Sequence, residues 1–188
     1  MVHVTEVLSI IDQGYGRADR AKLIRGQHIG REFHKHSLGW VKGAYFPAIK
    51  DPQIGGIVMT MVDSFKQWFD MAVKDVLCVE KELFDRKRNI QGRVDIILKL
   101  MKDEWWRVLD LKSVASLSRV VGLQLAGYQH LARIEYGFKR WGPRSALQFD
   151  KEGKRLLPRL VTFQNPLDLD AFFHAYSLRN HLKNGGSL

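Results

Sequence analysis

The fold of this chain depends most on the stretch GRVDIILKLMKDEWWRVLDLKS, which covers residues 92–113. It contains two runs rich in apolar, β-branched and aromatic residues, 92–101 and 104–113, on either side of a short polar turn. Runs of this length and composition, joined by a turn of two polar residues, predict two adjacent antiparallel strands.

Side chains alternate between the two faces of each predicted strand. The first strand is expected to direct four apolar residues to one face: Val94, Ile96, Leu98 and Leu100. Asp95 then lies on the opposite side. In the second strand, Asp110 and Lys112 share a face, and the neighbouring Leu109 and Leu111 point to the other. The hairpin can therefore bring Asp95 and Asp110 together beside an ammonium group.

The segments around this hairpin predict further helices and strands. Before it we expect helices over 5–12 (with Thr5 as N-cap), 21–38 and 55–74, a loop over 39–47 and a strand over 75–85. After it we expect a helix over 120–137, strands over 145–150 and 157–163, and a helix over 168–183. The order predicts an α/β fold, with a central mixed sheet that contains the antiparallel hairpin and is flanked by helices. We expect one domain over 1–183 and a flexible tail over 184–188.

Composition narrows the possible partners. The 188 residues include 30 Lys and Arg against 20 Asp and Glu, a net charge of +10, which favours a polyanionic partner, although a solvated positive surface would look the same. The only cysteine, Cys78, rules out an intramolecular disulfide and a cysteine-bound zinc or iron–sulfur cluster. No apolar run is long enough to span a bilayer and no signal peptide is evident, so we expect a cytoplasmic protein without a membrane partner.

An acidic residue two positions before a lysine occurs three times, about as often as chance allows: Asp85-Arg-Lys87, Asp110-Leu-Lys112 and Glu152-Gly-Lys154. Only the second ends a hydrophobic strand. Two carboxylates that converge near a lysine suit phosphodiester hydrolysis, because hard oxygen ligands bind Mg²⁺ or Mn²⁺ and the lysine can stabilise charge on the phosphate. A structural ion pair at a strand end is the alternative.

Four short blocks resemble motifs of RecB-like nucleases in the PD-(D/E)XK superfamily: Gly30-Arg-Glu-Phe-His34, Gly92-Arg-Val-Asp95, Leu109-Asp110-Leu-Lys112-Ser113 and Gln124-Leu-Ala-Gly-Tyr128. The resemblance implies a restriction-endonuclease-like core in which Asp95 and Asp110 bind the metal and Lys112 is catalytic. It further implies that His34 and the backbone carbonyl of Leu111 complete the metal ligands.

The same resemblance gives roles to residues outside the hairpin. Gln124 and Tyr128, four apart on one helical face, would contact DNA or support the site, as would Arg31. A core glutamine and a surface histidine would give the same pattern at Gln124 and His34. Glu82 is an auxiliary candidate, although a solvated strand charge explains it better. The relatives that hold an iron–sulfur cluster on four cysteines are excluded.

The activity implied is a Mg²⁺- or Mn²⁺-dependent deoxyribonuclease, in particular an exonuclease of DNA replication, recombination or repair, of a kind found in phage. Its substrate would be single-stranded DNA or DNA ends, and a helicase or recombination partner would do any unwinding, since the sequence has no P-loop. The alternatives are a structure- or sequence-specific endonuclease on the same fold, and a catalytically inactive DNA-binding module.

Overall fold

The computed structural model describes residues 1–11, 20–47, 49–150 and 157–185. The elements are β1 (Val2–His3), α1 (Val4–Leu8), α2 (Arg20–Val41), α3 (Pro52–Ala72), β2 (Val73–Asp85), β3 (Ile90–Leu100), β4 (Arg107–Lys112), α4 (Val120–Tyr136), β5 (Arg144–Gln148), β6 (Arg159–Phe163) and α5 (Asp168–Lys183). The meander of β2, β3 and β4 forms the centre of the sheet. The predicted antiparallel hairpin is confirmed as β3 and β4.

The sheet is mixed, as predicted. β2, β3 and β4 pair in antiparallel fashion, β4 and β5 are parallel, and β5 and β6 are antiparallel. The parallel pair requires a crossover, and α4 provides it. β1, which the sequence did not predict, adds a short parallel pairing to β3 at Ile90 and Gln91.

Helices cover both faces of the sheet and bury two apolar clusters. One cluster packs α1, α4 and α5 against the sheet, and its members include Val4, Val94, Ile97, Leu125 and Phe172. The other packs α2 and α3 against the opposite face, and its members include Phe33, Phe65, Ile96, Leu98 and Leu109. The predicted fold class, an α/β domain with a mixed sheet between helices, is confirmed.

The predicted apolar face of β3 is wrong. Val94 packs with Ile97 in the first cluster, whereas Ile96 and Leu98 pack in the second. The strand therefore changes faces between Val94 and Ile96, and the residue between them is Asp95.

The change of face lies opposite an unusual backbone conformation in β2. Glu80 lies opposite Asp95, since Val79 pairs with Ile96 and Lys81 with Val94. Glu80 has a φ of 48°, an uncommon value for a residue with a side chain, and it interrupts the regular pleat. Simple alternation cannot reveal such a break, because the sequence period on either side of it is unchanged.

Several predicted helix boundaries are also corrected. α2 continues through Gly39 to Val41 where a loop was expected, because the glycine leaves room for the ring of Phe46; a Cβ there would lie 1.9 Å from the ring. α3 begins at Pro52 rather than 55, because Asp51 caps it by accepting a hydrogen bond from the Gln53 N–H at 2.9 Å.

At the N-terminus, Thr5 lies inside α1 and does not cap it; the N-cap is His3, without a side-chain hydrogen bond. Residue 12 of the predicted first helix, the motif at Glu152–Lys154 and residues 186–188 of the predicted tail lie outside the described residues. In the part of the chain that is described, no helix has the length and apolar character needed to cross a membrane. The division into one domain and a tail stays a prediction.

Candidate active site

The candidate site lies where β3 and β4 separate. Their pairing joins Ile96 to Leu109 and continues toward Leu98 and Arg107, so an extended register would place Leu111 opposite Val94. Hydrogen bonds from side chains to the Leu111 backbone replace that pairing between strands. The Leu111 N–H donates to Asp95 Oδ2 at 2.8 Å, and His34 Nε2 lies 2.8 Å from the Leu111 carbonyl oxygen.

Asp110 and Lys112 share one face of β4, as predicted, and this face lies toward α4, whereas Leu109 and Leu111 are buried in the cluster beneath α2 and α3. Lys112 Nζ is 2.7 Å from Asp110 Oδ2 and donates to Gln124 Oε1 at 3.1 Å. The site is thus built from both sides of the sheet, with His34 from α2 and Gln124 from α4.

Gln124 and Tyr128 share one face of α4, which confirms the predicted geometry. Gln124 Nε2 donates to the Tyr128 hydroxyl at 3.1 Å, while its carbonyl oxygen holds Lys112. Tyr128 is only 6% exposed, and burial raises the pKa of its hydroxyl. In this structure the pair supports the lysine, and Tyr128 is too deeply buried to meet a macromolecule directly.

Glycines at two motif positions make room for neighbours of the site. A Cβ on Gly92 would lie 2.8 Å from the Tyr128 ring and 3.0 Å from the Val4 side chain, so only glycine lets the ring lie flat on β3. A Cβ on Gly30, one turn before His34, would lie 3.3 Å from Ser113 Oγ. Both glycines therefore serve close packing around the charged residues.

Four charged groups balance one another at the site. His34 Nδ1 is 3.4 Å from Asp95 Oδ2, and a carbonyl oxygen can only accept, so the contact with Leu111 requires a proton on Nε2. Burial opposes a charged imidazole, but the negative charge of Asp95, with help from Asp110, outweighs it and raises the pKa of His34 to about 9.

The two carboxyl groups have different proton affinities. Burial, reinforced by the charge of Asp95, raises the pKa of Asp110, although Lys112 opposes the shift. Burial acts in the same sense on Asp95, but the charge and hydrogen bond of His34 outweigh it and lower the pKa of Asp95. Paired acids with separated proton affinities are typical of functional sites, and of structural ion-pair networks as well.

The donor types suit a hard divalent cation. Asp110 Oδ2 is buried, and the Lys112 ammonium nitrogen lies 2.7 Å from it. His34 Nε2 lies 2.8 Å from the Leu111 oxygen, so a nitrogen and a carbonyl oxygen that could each bind a divalent cation lie side by side at the site. Among the described residues, however, no three His, Cys, Asp or Glu side chains are arranged to hold a metal ion. The residues fit a metal in chemistry, and they are paired with one another in this conformation.

A cleft of about 640 Å³ opens beside His34, and cationic side chains line it. Arg31, predicted near the site, is exposed on its wall together with Lys35 and Arg93. Glu80 also lines the cleft and forms ion pairs with Lys42 at 2.5 Å and Arg93 at 2.7 Å.

The auxiliary candidate Glu82 is not brought to this cleft. It is exposed and lies opposite Arg93 in the strand register. The acidic residue that lines the cleft is Glu80, which was not among the predicted site residues. Two aromatic residues of the predicted loop over 39–47 differ in exposure: the ring centroids of Trp40 and Phe69 lie 5.5 Å apart, whereas Tyr45 is 91% exposed.

No protein-family model matches the chain, and no curated protein matches it. Among solved structures, the fold is similar to that of a protein named "Putative exonuclease" from Eubacterium rectale, with a TM-score of 0.57 and 11% identity, covering 87% of this chain and 69% of that one. The structure of SSO0001 covers 98% of this chain and 77% of its own at 16% identity, but its TM-score of 0.43 is too low to establish a shared fold. The similarity to the Eubacterium rectale protein shows the fold alone. The chemistry of the site depends on its side chains.

Proposed function

We propose that this protein is a metal-dependent nuclease that hydrolyses phosphodiester bonds in DNA, of the RecB-like type within the PD-(D/E)XK superfamily. One observation carries the proposal: Asp95, Asp110, Lys112 and His34 meet at the point where β3 and β4 separate, and the buried Asp110 carboxylate lies beside the Lys112 ammonium group. The fold shared with a protein named as an exonuclease supports the same conclusion.

The ligands proposed for Mg²⁺ or Mn²⁺ are the two carboxylates, the imidazole of His34 and the Leu111 carbonyl. When bound, such an ion polarises a phosphate oxygen and lowers the pKa of an attacking water. His34 must give up its Nε2 proton to act as a ligand, because a ligating nitrogen needs its lone pair.

Lys112 is the proposed catalytic cation. Its ammonium group is positioned by Gln124, which is in turn held by Tyr128, so the nitrogen has a fixed direction before a substrate arrives. A preorganised cation of this kind stabilises the charge that develops on the phosphate, without a reorganisation cost during the reaction. The Asp95 carboxylate also accepts a hydrogen bond from the Leu111 N–H, which restrains the position of the Leu111 carbonyl.

A catalytically inactive DNA-binding module is the second candidate. The observation in its favour is the mutual pairing of the charges, since His34 and Lys112 together balance Asp95 and Asp110 without any metal ion. An intact set of all four groups argues for turnover, because a site that only binds DNA does not need two buried carboxylates near the phosphate.

The two candidates are separated by a cleavage assay on end-labelled linear DNA and covalently closed circular DNA with Mg²⁺, Mn²⁺ or EDTA. The nuclease proposal expects degradation with either ion and none with EDTA. Attack on linear DNA alone identifies the exonuclease, whereas nicking of closed circles identifies the endonuclease. If neither substrate is degraded with either metal while DNA still binds, the protein is the binding module.

A further inference from the structure

A second basic region covers the outer side of α4, away from His34 and its cleft. We define this α4 basic surface by six residues: Arg86, Lys87, Arg88, His130, Arg133 and Arg144. The first three form the turn between β2 and β3, and the others come from α4 and the start of β5. The nuclease site does not use any of them.

Two adjoining clefts run along this surface. One, of about 560 Å³, is lined by the three cations of the turn with His130 and Ile134, and by the acidic residues Asp85 and Glu135, of which Glu135 pairs with Lys81. The other, of about 340 Å³, is lined by His130, Arg133, Arg144 and the segment 163–166. Because His130 lines both, the clefts adjoin at this residue, between the β2–β3 turn and the start of β5.

The turn is fixed in place by a buried acid. Asp85, with a side chain only 3% exposed, accepts hydrogen bonds from the Arg88 backbone N–H at 3.0 Å, from Arg88 Nη1 at 3.1 Å and from His130 Nε2 at 2.9 Å. The Tyr176 hydroxyl donates to the Arg88 carbonyl, and the Arg88 guanidinium lies over the Phe173 ring at 5.0 Å. Arg88 therefore anchors the turn. Its neighbours Arg86 and Lys87 are exposed on an ordered backbone, which lowers the entropic cost of binding a partner there.

The surface has an excess of positive charge. Asp85 offsets part of it at Arg88, and Asp168 pairs with Arg144 at 3.0 Å. Within the described part of the chain, Arg86, Lys87 and Arg133 make no ion pair with an acidic side chain. Arg144 itself is buried and donates to Asp168 and to the carbonyl oxygens of Phe163 and Asn165, so Arg133 is the exposed guanidinium group of this cleft.

We propose that the α4 basic surface binds the sugar–phosphate backbone of a nucleic acid at a second contact region, separate from the Asp95–Asp110 site. The proposal rests on the proposed function in that the partner is the same nucleic acid. Cations without acidic partners along the adjoining clefts suit successive phosphates, and the contact would be independent of sequence.

The separation of the two regions sets a minimum length for the partner. Along β3, Ile90 and Asp95 lie five positions apart, so the turn and the candidate site are separated by about 17 Å at roughly 3.3 to 3.4 Å per residue. B-form DNA covers the same distance in about five base pairs. A nucleic acid shorter than this cannot reach both regions.

The test compares two double variants of equal charge in EDTA, where no cleavage occurs. Arg86→Gln/Lys87→Gln removes two exposed cations of the turn and leaves Arg88 in place. Lys74→Gln/Lys102→Gln removes two exposed lysines from the other end of the β2–β3 hairpin. Fluorescence anisotropy gives the Kd over a range of salt concentrations. The two labelled probes are a duplex of about 20 base pairs and an oligonucleotide of about four nucleotides.

We expect the turn variant to bind the long duplex up to about 60-fold more weakly at about 0.1 M salt, roughly eightfold per phosphate contact, with a salt slope smaller by about 1.8. The control variant should bind it like the wild type. The short oligonucleotide should not distinguish the two. Equal binding of the long duplex by the two variants overturns the proposal, and so does a wild type that does not bind DNA.

Two further outcomes are informative. If polyglutamate binds with the same dependence on Arg86 and Lys87, the surface serves an acidic protein and the proposal is overturned. If the turn variant loses duplex binding but the wild type never cleaves DNA with metal, the basic surface stands and the nuclease function fails.

Discussion

Replacing Lys112 by alanine tests the proposed catalytic role most directly. The substitution removes the ammonium group that lies 2.7 Å from Asp110 Oδ2 and donates to Gln124 at 3.1 Å. The side chain is 23% exposed, so its loss opens no large cavity in the core. The partner most affected is Asp110, whose buried carboxyl loses its nearest cation.

The expected loss of turnover is about 10²- to 10³-fold. This is the effect of removing one preorganised group that stabilises the transition state, and it corresponds to about 2.7 to 4 kcal/mol of activation free energy. Binding of DNA should weaken much less, by about eightfold at most at about 0.1 M salt, because the ammonium group supplies no more than one phosphate contact.

The assay measures kcat and KM on end-labelled linear DNA with Mn²⁺, alongside the Kd in EDTA. Lys102→Ala is the matched control, since Lys102 is an exposed lysine in the β3–β4 turn at the far end of β4. Circular dichroism establishes that both variants are folded. Normal digestion by folded Lys112→Ala protein would refute the catalytic assignment, and so would an equal loss of turnover in Lys102→Ala.

Three further predictions concern the site and its supports. Asp110→Asn should abolish metal-dependent cleavage and weaken Mn²⁺ binding in calorimetry; unchanged Mn²⁺ affinity would count against its role as a ligand. Gly92→Ala should destabilise the protein by about 1 to 3 kcal/mol in urea unfolding, because its Cβ would meet the Tyr128 ring at 2.8 Å. Gly56→Ala, in an exposed position of α3 with open space around it, should be neutral or stabilising by up to about 1 kcal/mol, and a Gly92 variant as stable as this one would contradict the packing argument. Burial opposes ionisation of Asp85, but its hydrogen bonds with α4 and the β2–β3 turn lower its pKa, so its contribution to stability is present above the ordinary value of 3.8 and is lost as the pH falls below it. Asp85→Asn should lack that acid-sensitive part of the stability curve, and identical curves for the two proteins would show that the contribution is absent.

The elements were largely predictable because local pattern decides them. The hairpin of β3 and β4, the helix α4 and the closing helix α5 all appear where periodicity and turn residues indicate them. Helix ends were less predictable. Gly39 looked like the start of a loop, and only the ring of Phe46 packed against it explains why α2 continues.

Which residues come together at the candidate site was more predictable than the hydrogen bonds between them. The motif blocks singled out Asp95, Asp110, Lys112 and His34, and the structure brings these four together. That His34 contacts the Leu111 carbonyl while Asp95 holds the Leu111 N–H could not be read from spacing, because it depends on where two strands stop pairing.

The sequence by itself determined the α/β order of elements and the shared face of Asp110 and Lys112, because both follow from interactions between near neighbours along the chain. The tertiary structure alone decided where Asp95 points. The faces of β3 change between Val94 and Ile96, opposite Glu80 with its φ of 48°, and the Asp95 carboxylate accepts a hydrogen bond from the Leu111 N–H of β4. Which strand lies beside which, and in what register, depends on contacts between distant residues, and no local period encodes them.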